Sequence, residues 1–154
     1  MERRRCRDYV ISGLIDKDVL KIVKEQLSNK DYSFKNDSNP DYSIITYFNK
    51  EIALAFKAKT SFSSQEGLSF EARLSFDSKT VSENYALWQE KISKAPEQAY
   101  VLNWKIDKDS FNENIIILRG KIRCDLTIAK MAAKMLSELL DDPKQYLNSL
   151  RIRQ

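Results

Sequence analysis

The stretch Leu68-Ser69-Phe70-Glu71-Ala72-Arg73-Leu74-Ser75-Phe76 alternates apolar and polar residues without a break. In an extended chain successive side chains point to opposite faces, so every apolar residue of this stretch lies on the same face. A helix would scatter the same residues around its axis. The stretch therefore predicts a β-strand with one buried face and one face turned to water.

The segments on either side of this strand predict an α+β domain. Apolar residues recur at helical spacing in some segments and alternate in others. The polar stretch 28–41 predicts a loop. The predicted elements are a helix at 16–29, strands at 42–48, 51–59 and 68–76, a helix from about residue 80, strands at 100–106 and 115–124, and helices at 126–140 and from 143 onward. This order, α-β-β-β-α-β-β-α, indicates an antiparallel sheet of about five strands with helices packed on one face.

Four helix starts carry residues that commonly cap helices. Asp16, Asp125 and Asp142 each stand where a carboxylate can accept bonds from free N–H groups of the first turn, and Pro143 suits the first helical position. Thr80 and Glu83 have the spacing of a capping box. The chain of 154 residues has the length of one domain. We expect that domain to cover 16–154, with residues 1–15 as a basic arm that includes a short strand at 9–14 as one alternative.

The composition excludes several kinds of active site. The chain has no histidine, which removes Ser-His-Asp and Cys-His catalysis and histidine-based metal sites. Cys6 and Cys124 are too few for a zinc site, and we expect both to be reduced thiols. The acidic pairs Asp107 with Asp109 and Asp141 with Asp142 are typical of turns and caps. The sequence therefore predicts a protein without catalytic residues, metal or cofactor.

A set of basic residues shares the strand face opposite the apolar one, where Glu71 is the single carboxylate we expect. The set consists of Lys57, Lys59, Arg73, Lys105, Arg119, Lys121 and Arg123. Such a face would attract phosphate backbones or an acidic protein segment. The alternative is that these side chains only face water, as is common in antiparallel sheets. Tyr100 and Trp104 share the parity of Leu102 and Ile106, which predicts core positions for them and not a base-stacking platform.

A second basic cluster lies at the N-terminus and consists of Arg3, Arg4, Arg5 and Arg7. It suits a phosphate-binding arm, a solubilising tail or a contact with a partner, and the sequence leaves these alternatives open. The apolar run that follows is short and is closed by charged residues, so no secretion signal or membrane span is predicted. We expect a cytoplasmic protein.

The order of elements resembles that of the type III secretion chaperones and the YbjN-like proteins. The resemblance covers about residues 16–150. It rests on the helix Asp16–Leu27, the strand at 68–76, the helix with Tyr85, Trp88 and Ile92, and the hairpin at 100–124 that leads into the helix at 126–140. It implies a small, often dimeric domain that binds protein partners and catalyses nothing. The chain departs from such chaperones in its charge, because they tend to be acidic and this chain carries a net charge of +4.

Two functions are therefore predicted. The first is a non-enzymatic, chaperone-like or adaptor-like protein that engages a protein partner as a homodimer, through the helix with Tyr85 and Ile92 or through the last hairpin. The second is a binder of nucleic acid or another acidic partner that uses the basic sheet face.

Overall fold

The computed structural model describes residues 14–28, 32–60 and 64–151, which form four α-helices, one 3-10 helix and six strands. The basic cluster at Arg3 to Arg7 and the strand predicted at 9–14 lie outside the described residues, apart from Leu14, which is not in a strand. The elements are α1 (Asp16–Leu27), β1 (Ser33–Ser38), β2 (Tyr42–Phe48), β3 (Ile52–Lys59), β4 (Leu68–Ser75), α2 (Ser78–Lys94), the 3-10 helix (Pro96–Ala99), β5 (Val101–Lys108), β6 (Ile115–Ile122), α3 (Leu126–Asp141) and α4 (Pro143–Ser149).

The strands form one antiparallel sheet in the order β1-β2-β3-β4-β6-β5. The α+β class and the antiparallel sheet are thus confirmed. The prediction of about five strands was wrong, because β1 lies within the stretch 28–41 that was expected to be a loop. Every side chain of β1 is exposed, so this strand lacks the apolar alternation by which the others were found.

The helices and one face of the sheet enclose a single core. Leu68, Phe70, Ala72 and Leu74 of β4 are all buried at this face, which confirms the predicted parity of the strand. The alternate residues of β4, whose side chains point to the opposite face, are only half-buried or exposed. Phe76 lies just beyond the strand, and its ring centroid is 5.1 Å from that of the fully buried Trp88. The helices therefore cover one face of the sheet and leave the other open.

The helix starts differ in part from their predicted caps. Asp125 and Asp142 accept hydrogen bonds from Ile128 N–H and Gln145 N–H, as expected. Asp16, in contrast, is the first residue of α1 and not its cap, and it is only 1% exposed. The capping box at Thr80 was also wrong, because α2 starts earlier.

A β-bulge changes the parity of β5. Leu102 pairs with Lys121 and Lys105 pairs with Arg119, so two residues of β5 stand opposite Gly120 alone. The first of the two, Asn103, has a φ of 56°, in the left-handed region that asparagine tolerates better than most residues. Val101, Trp104 and Ile106 are consequently buried, whereas Leu102 is only half-buried.

Among the described residues, every helix is too short or too polar to cross a membrane.

Candidate functional site

The face of the sheet that the helices leave uncovered, here called the open face, carries most of the predicted basic residues. Its members come from five adjacent strands and are joined by the pairing register. They are Tyr42, Ile44 and Thr46 of β2, Ala53, Ala55, Lys57 and Lys59 of β3, Ser69, Glu71 and Arg73 of β4, Ile117, Arg119 and Lys121 of β6, and Leu102, Lys105 and Asp107 of β5.

A hollow of about 680 Å³ lies in the middle of the open face. Ile44 and Ala55 give its wall an apolar part, and Ser69 and Asn103 add neutral polar groups. Its charged lining residues are four cations and one carboxylate. They are Lys57, Lys105, Arg119 and Lys121, with Glu71. The hollow is therefore suited to an elongated ligand that carries negative charge and some apolar surface.

The predicted ratio of seven cations to one carboxylate was wrong. Arg73 contacts Asp109 at 2.9 Å and Glu71 at 3.9 Å. Arg119 lies 3.6 Å from Glu71 and 3.7 Å from Asp107. These contacts neutralise much of the charge on this part of the open face.

Two lysines at the margins of the face are paired as well. Lys105 lies 4.0 Å from Asp107, and Lys59 lies 2.7 Å from Glu66. The Lys59 ammonium donates a hydrogen bond that lowers the pKa of the Glu66 carboxyl. Likewise the hydrogen bond from the Arg73 guanidinium lowers the pKa of the Asp109 carboxyl.

Lys57 and Lys121 differ from these cations, because neither has a carboxylate within 4.0 Å among the residues that the structure describes. Both are directly opposite Ser69 of the strand between them. The Lys57 ammonium lies 3.9 Å from the ring centroid of Tyr42, a cation–π distance. The unbalanced positive charge of the open face thus lies on Lys57 and Lys121, the two ends of a row that has Ser69 at its centre.

Arg123 is the predicted site residue that lies just beyond the strands. It follows the last residue of β6, is exposed, and does not line the hollow. Its place on the open face with the other six stays a prediction.

Trp104 is a lining residue that the sequence did not identify as part of the site. It is 4% exposed, and its Nε1–H has no hydrogen-bond partner in the described part of the chain. Its prediction as a core residue is confirmed. It nevertheless reaches the hollow beside Asn103, where the bulge interrupts the regular ladder. A pattern of strict alternation cannot reveal such a bulge, so this contact could not be predicted from the sequence.

A buried polar cluster joins α1 to the end of β6. The Asp16 carboxylate accepts hydrogen bonds from Ser64 Oγ at 2.7 Å, Gly67 N at 2.7 Å and Cys124 Sγ at 3.2 Å. Burial, reinforced by the hydrogen bond to Asp16, raises the pKa of the Cys124 thiol to about 12. Cys124 is a free thiol, and such a high pKa makes it a poor nucleophile. This cluster fixes the loop before β4 and has no evident chemistry of its own.

A second cleft of about 430 Å³ lies beside the 3-10 helix, α3 and α4. The Tyr146 hydroxyl donates a hydrogen bond to Glu97 Oε2 at 3.2 Å. Burial raises the pKa of Glu97 and also that of Tyr146. Met131 of α3 lines this cleft and is 49% exposed.

No group of three or more potential metal ligands occurs among the residues that the structure describes. Trp88 and Ile92 of α2 are buried within their own chain at 0% and 1% exposure, so they are not available to a dimer interface. Leu87 of the same helix is 42% exposed. The homodimer itself stays a prediction.

The chain matches no protein-family model, and no curated protein or solved structure is significantly similar to it.

Proposed function

We propose that this chain is a non-enzymatic binding protein that holds an acidic segment of a partner protein in the hollow of the open face. The observation that carries the proposal is the positive charge of Lys57 and Lys121 in this hollow, because neither lysine has a carboxylate within 4.0 Å among the described residues. The proposal includes the chaperone-like or adaptor-like role that the order of the elements led us to expect.

The charge pattern favours a protein segment over nucleic acid. Tight binding of nucleic acid usually requires many phosphate contacts and, for single strands, exposed aromatic rings. In the hollow, Glu71 would repel a continuous phosphate backbone, and Asp107 stands close to Arg119. Trp104 is buried, and the Tyr42 ring is already in contact with Lys57. A peptide with separated carboxylates can place its charges near the cations and its apolar atoms near Ile44 and Ala55.

The test is a titration of the purified protein with a glutamate-rich peptide, followed by fluorescence anisotropy of a label on the peptide. A glutamine-rich peptide of the same length is the neutral control. We expect the glutamate peptide alone to bind, and its affinity to fall as salt is added, because exposed charges are screened. Single-stranded DNA of matched charge is titrated in parallel.

The double variant Lys57→Glu with Lys121→Glu should weaken binding of the glutamate peptide by at least about tenfold, because it reverses the unpaired charge. Lys79→Glu is the control for a charge reversal elsewhere, since Lys79 lies on α2 and is 84% exposed. The proposal is wrong if the glutamate peptide does not bind at low salt. Tighter binding of the DNA than of the peptide would replace it with the nucleic-acid function.

A further inference from the structure

Lys57, Ser69 and Lys121 form a straight row across β3, β4 and β6. The register places Lys57 opposite Ser69, and Ser69 opposite Lys121. Adjacent strands are about 4.8 Å apart, so the two lysines start from backbone positions about 10 Å apart on either side of one hydroxyl group. The row borders a hollow of about 120 Å³ that Tyr42 and Lys59 also line.

The other charges around this small hollow already have partners. Lys59 and Glu66 form an ion pair with a 2.7 Å contact. Asp16 also lines the hollow, but both of its carboxylate oxygens accept hydrogen bonds, from Gly67 and Cys124 on Oδ1 and from Ser64 on Oδ2. The partners of Asp16 are neutral groups, so its charge persists, but it forms no ion pair with either lysine of the row. Lys57 and Lys121 therefore remain as the ammonium groups of this hollow that have no carboxylate within 4.0 Å among the described residues.

We propose that this row is a subsite for a phosphoryl group, carried on a phosphorylated side chain of the acidic segment. The inference rests on the proposed function, because the same open face holds the rest of the segment. A phosphate monoester carries close to two negative charges at neutral pH and has three acceptor oxygens. It can therefore neutralise both ammonium groups and accept a hydrogen bond from Ser69. A single carboxylate carries one charge and leaves one lysine unbalanced.

The protein itself offers a clean pH readout for this subsite. The charged and titratable groups that line the hollows on either side of the row are Tyr42 of β2, Lys59 of β3, Glu66 and Glu71 in and before β4, Arg119 of β6, Lys105 of β5 and Asp16 of α1. None of them is a histidine, and the chain contains none. Histidine is the side chain whose ordinary pKa lies between pH 5 and 8. A change of affinity across that range is therefore expected to come from the second ionisation of the phosphate, near pH 6.

The experiment compares three versions of one glutamate-rich peptide, which carry serine, phosphoserine or glutamate at the same central position. Each is titrated at about pH 7.5 and about pH 5.5, on either side of the second phosphate ionisation. At the higher pH we expect the phosphoserine peptide to bind at least about tenfold more tightly than the glutamate version, as two charge-assisted contacts replace one. At the lower pH this advantage should shrink.

Variants locate the phosphoryl group. Lys57→Gln and Lys121→Gln should each remove most of the phosphoserine advantage, whereas Lys57→Arg should retain it. Ser69→Ala should reduce it less, because it removes one neutral donor. Lys79→Gln serves as the matched control and should leave all three affinities unchanged. Circular dichroism checks that each variant is folded, and the comparison of peptides on the unaltered protein does not depend on any variant.

The outcomes separate the subsite from the proposed function. Equal affinities for the phosphoserine and glutamate peptides at both pH values would overturn the subsite and leave the acidic-segment function in place. Failure of all three peptides to bind would overturn both. Inorganic phosphate is a fourth probe. If it binds as tightly as the phosphoserine peptide, the subsite serves free phosphate, and the inference of a phosphorylated partner is wrong.

Discussion

Gly120 is the residue of the sheet where one added methyl group meets the tightest surroundings. A Cβ at this position would lie 2.3 Å from Val101 Cγ1 and 2.8 Å from Phe70 Cε2. Both neighbours are buried, at 0% and 3% exposure, and have little room to move. We expect Gly120→Ala to lower the free energy of unfolding by about 1–3 kcal/mol, the usual cost of overpacking a core.

Urea denaturation followed by tryptophan fluorescence measures this loss. Ser69→Ala is the control, because Ser69 is half-buried on the open face of the neighbouring strand, outside the core cluster. Its midpoint should stay close to that of the unaltered protein. An equal midpoint for Gly120→Ala would mean that Val101 and Phe70 can move apart at no cost.

The bulge opposite Gly120 is a feature that the sequence pattern does not predict. Alternation predicts that Leu102, Trp104 and Ile106 share a face, and this is correct only from Trp104 onward. The extra residue of the bulge at Asn103 shifts the parity of what precedes it. Asparagine is compatible with a left-handed φ but is also common in ordinary loops and turns, so its presence alone does not predict a bulge.

At the scale of elements, the start of α2 tests which residue caps a helix. The Asp77 carboxylate accepts a hydrogen bond from Thr80 N–H at 2.7 Å, and this bond lowers the pKa of Asp77. Removing a cap of this kind costs about 0.5–2 kcal/mol. We therefore expect Asp77→Ala to lower the urea midpoint at neutral pH.

Glu83→Ala is the informative comparison, because Glu83 is the second member of the capping box predicted from sequence. In the structure it makes an exposed contact of 3.9 Å with Lys79, one turn away. Such a pair contributes only a few tenths of a kcal/mol, roughly 0.3–0.5. If Glu83→Ala lowered the urea midpoint more than Asp77→Ala does, the capping box of Thr80 and Glu83 would be the more important cap of this helix.

The elements themselves were predictable in proportion to how much apolar surface they bury. Strands β3, β4 and β6 each bury one full face, and their alternation was visible in the sequence. Strand β1 pairs with β2 over six positions, yet its sequence Ser-Phe-Lys-Asn-Asp-Ser has no alternation. It is held by backbone hydrogen bonds at the edge of the sheet, and such bonds place little constraint on side chains.

The sequence predicted which basic residues share the open face, but it did not predict which carboxylates pair with them. Strand parity correctly grouped Lys57, Arg73, Arg119 and Lys121 on one face. The compensating carboxylates of Glu66 and Asp109 lie in loops, where no period relates a residue to a face. Asp107 was assigned to a turn, whereas β5 continues to Lys108 and places it beside Arg119. The row of unpaired charge became evident only after these partners were located.

At the scale of the whole molecule, the described helices cover only one face of the sheet, and the charge of the other face compensates for the lack of a second helical layer in this part of the chain. An uncovered sheet and its edge strands invite pairing with other chains. Here the edge strand β1 is exposed throughout and five of its six residues are polar. The other edge strand, β5, combines a bulge with Lys105 and Lys108. Most of the open face carries ion pairs, which neutralise its charge and discourage recognition. The row that includes Lys57 and Lys121 is the exception, and this contrast is the reason to assign binding to it.

The stability of the whole molecule should depend on pH through Glu97, in the cleft beside α3 and α4. Burial raises the pKa of this carboxyl above its ordinary value of 4.5. At pH values between the ordinary and the raised pKa, the folded chain therefore keeps a proton on Glu97 that the unfolded chain has lost. The stabilisation is complete below pH 4.5 and is lost as the pH rises through the folded value. We expect the difference in unfolding free energy between Glu97→Gln and the unaltered protein to grow in favour of the variant over this range.

Tyr146→Phe provides the opposite change at the same site. The Tyr146 hydroxyl donates to Glu97 and so lowers the pKa of its carboxyl, against the larger effect of burial. Without this bond the pKa of Glu97 should rise further, and the loss of stability between acidic and neutral pH should become larger. Urea midpoints measured from about pH 4 to about pH 7.5 distinguish the cases, because carboxyl groups in proteins titrate mainly in and below this range. Parallel curves for Glu97→Gln, Tyr146→Phe and the unaltered protein would show that Glu97 ionises in the folded state as freely as it does in the unfolded chain.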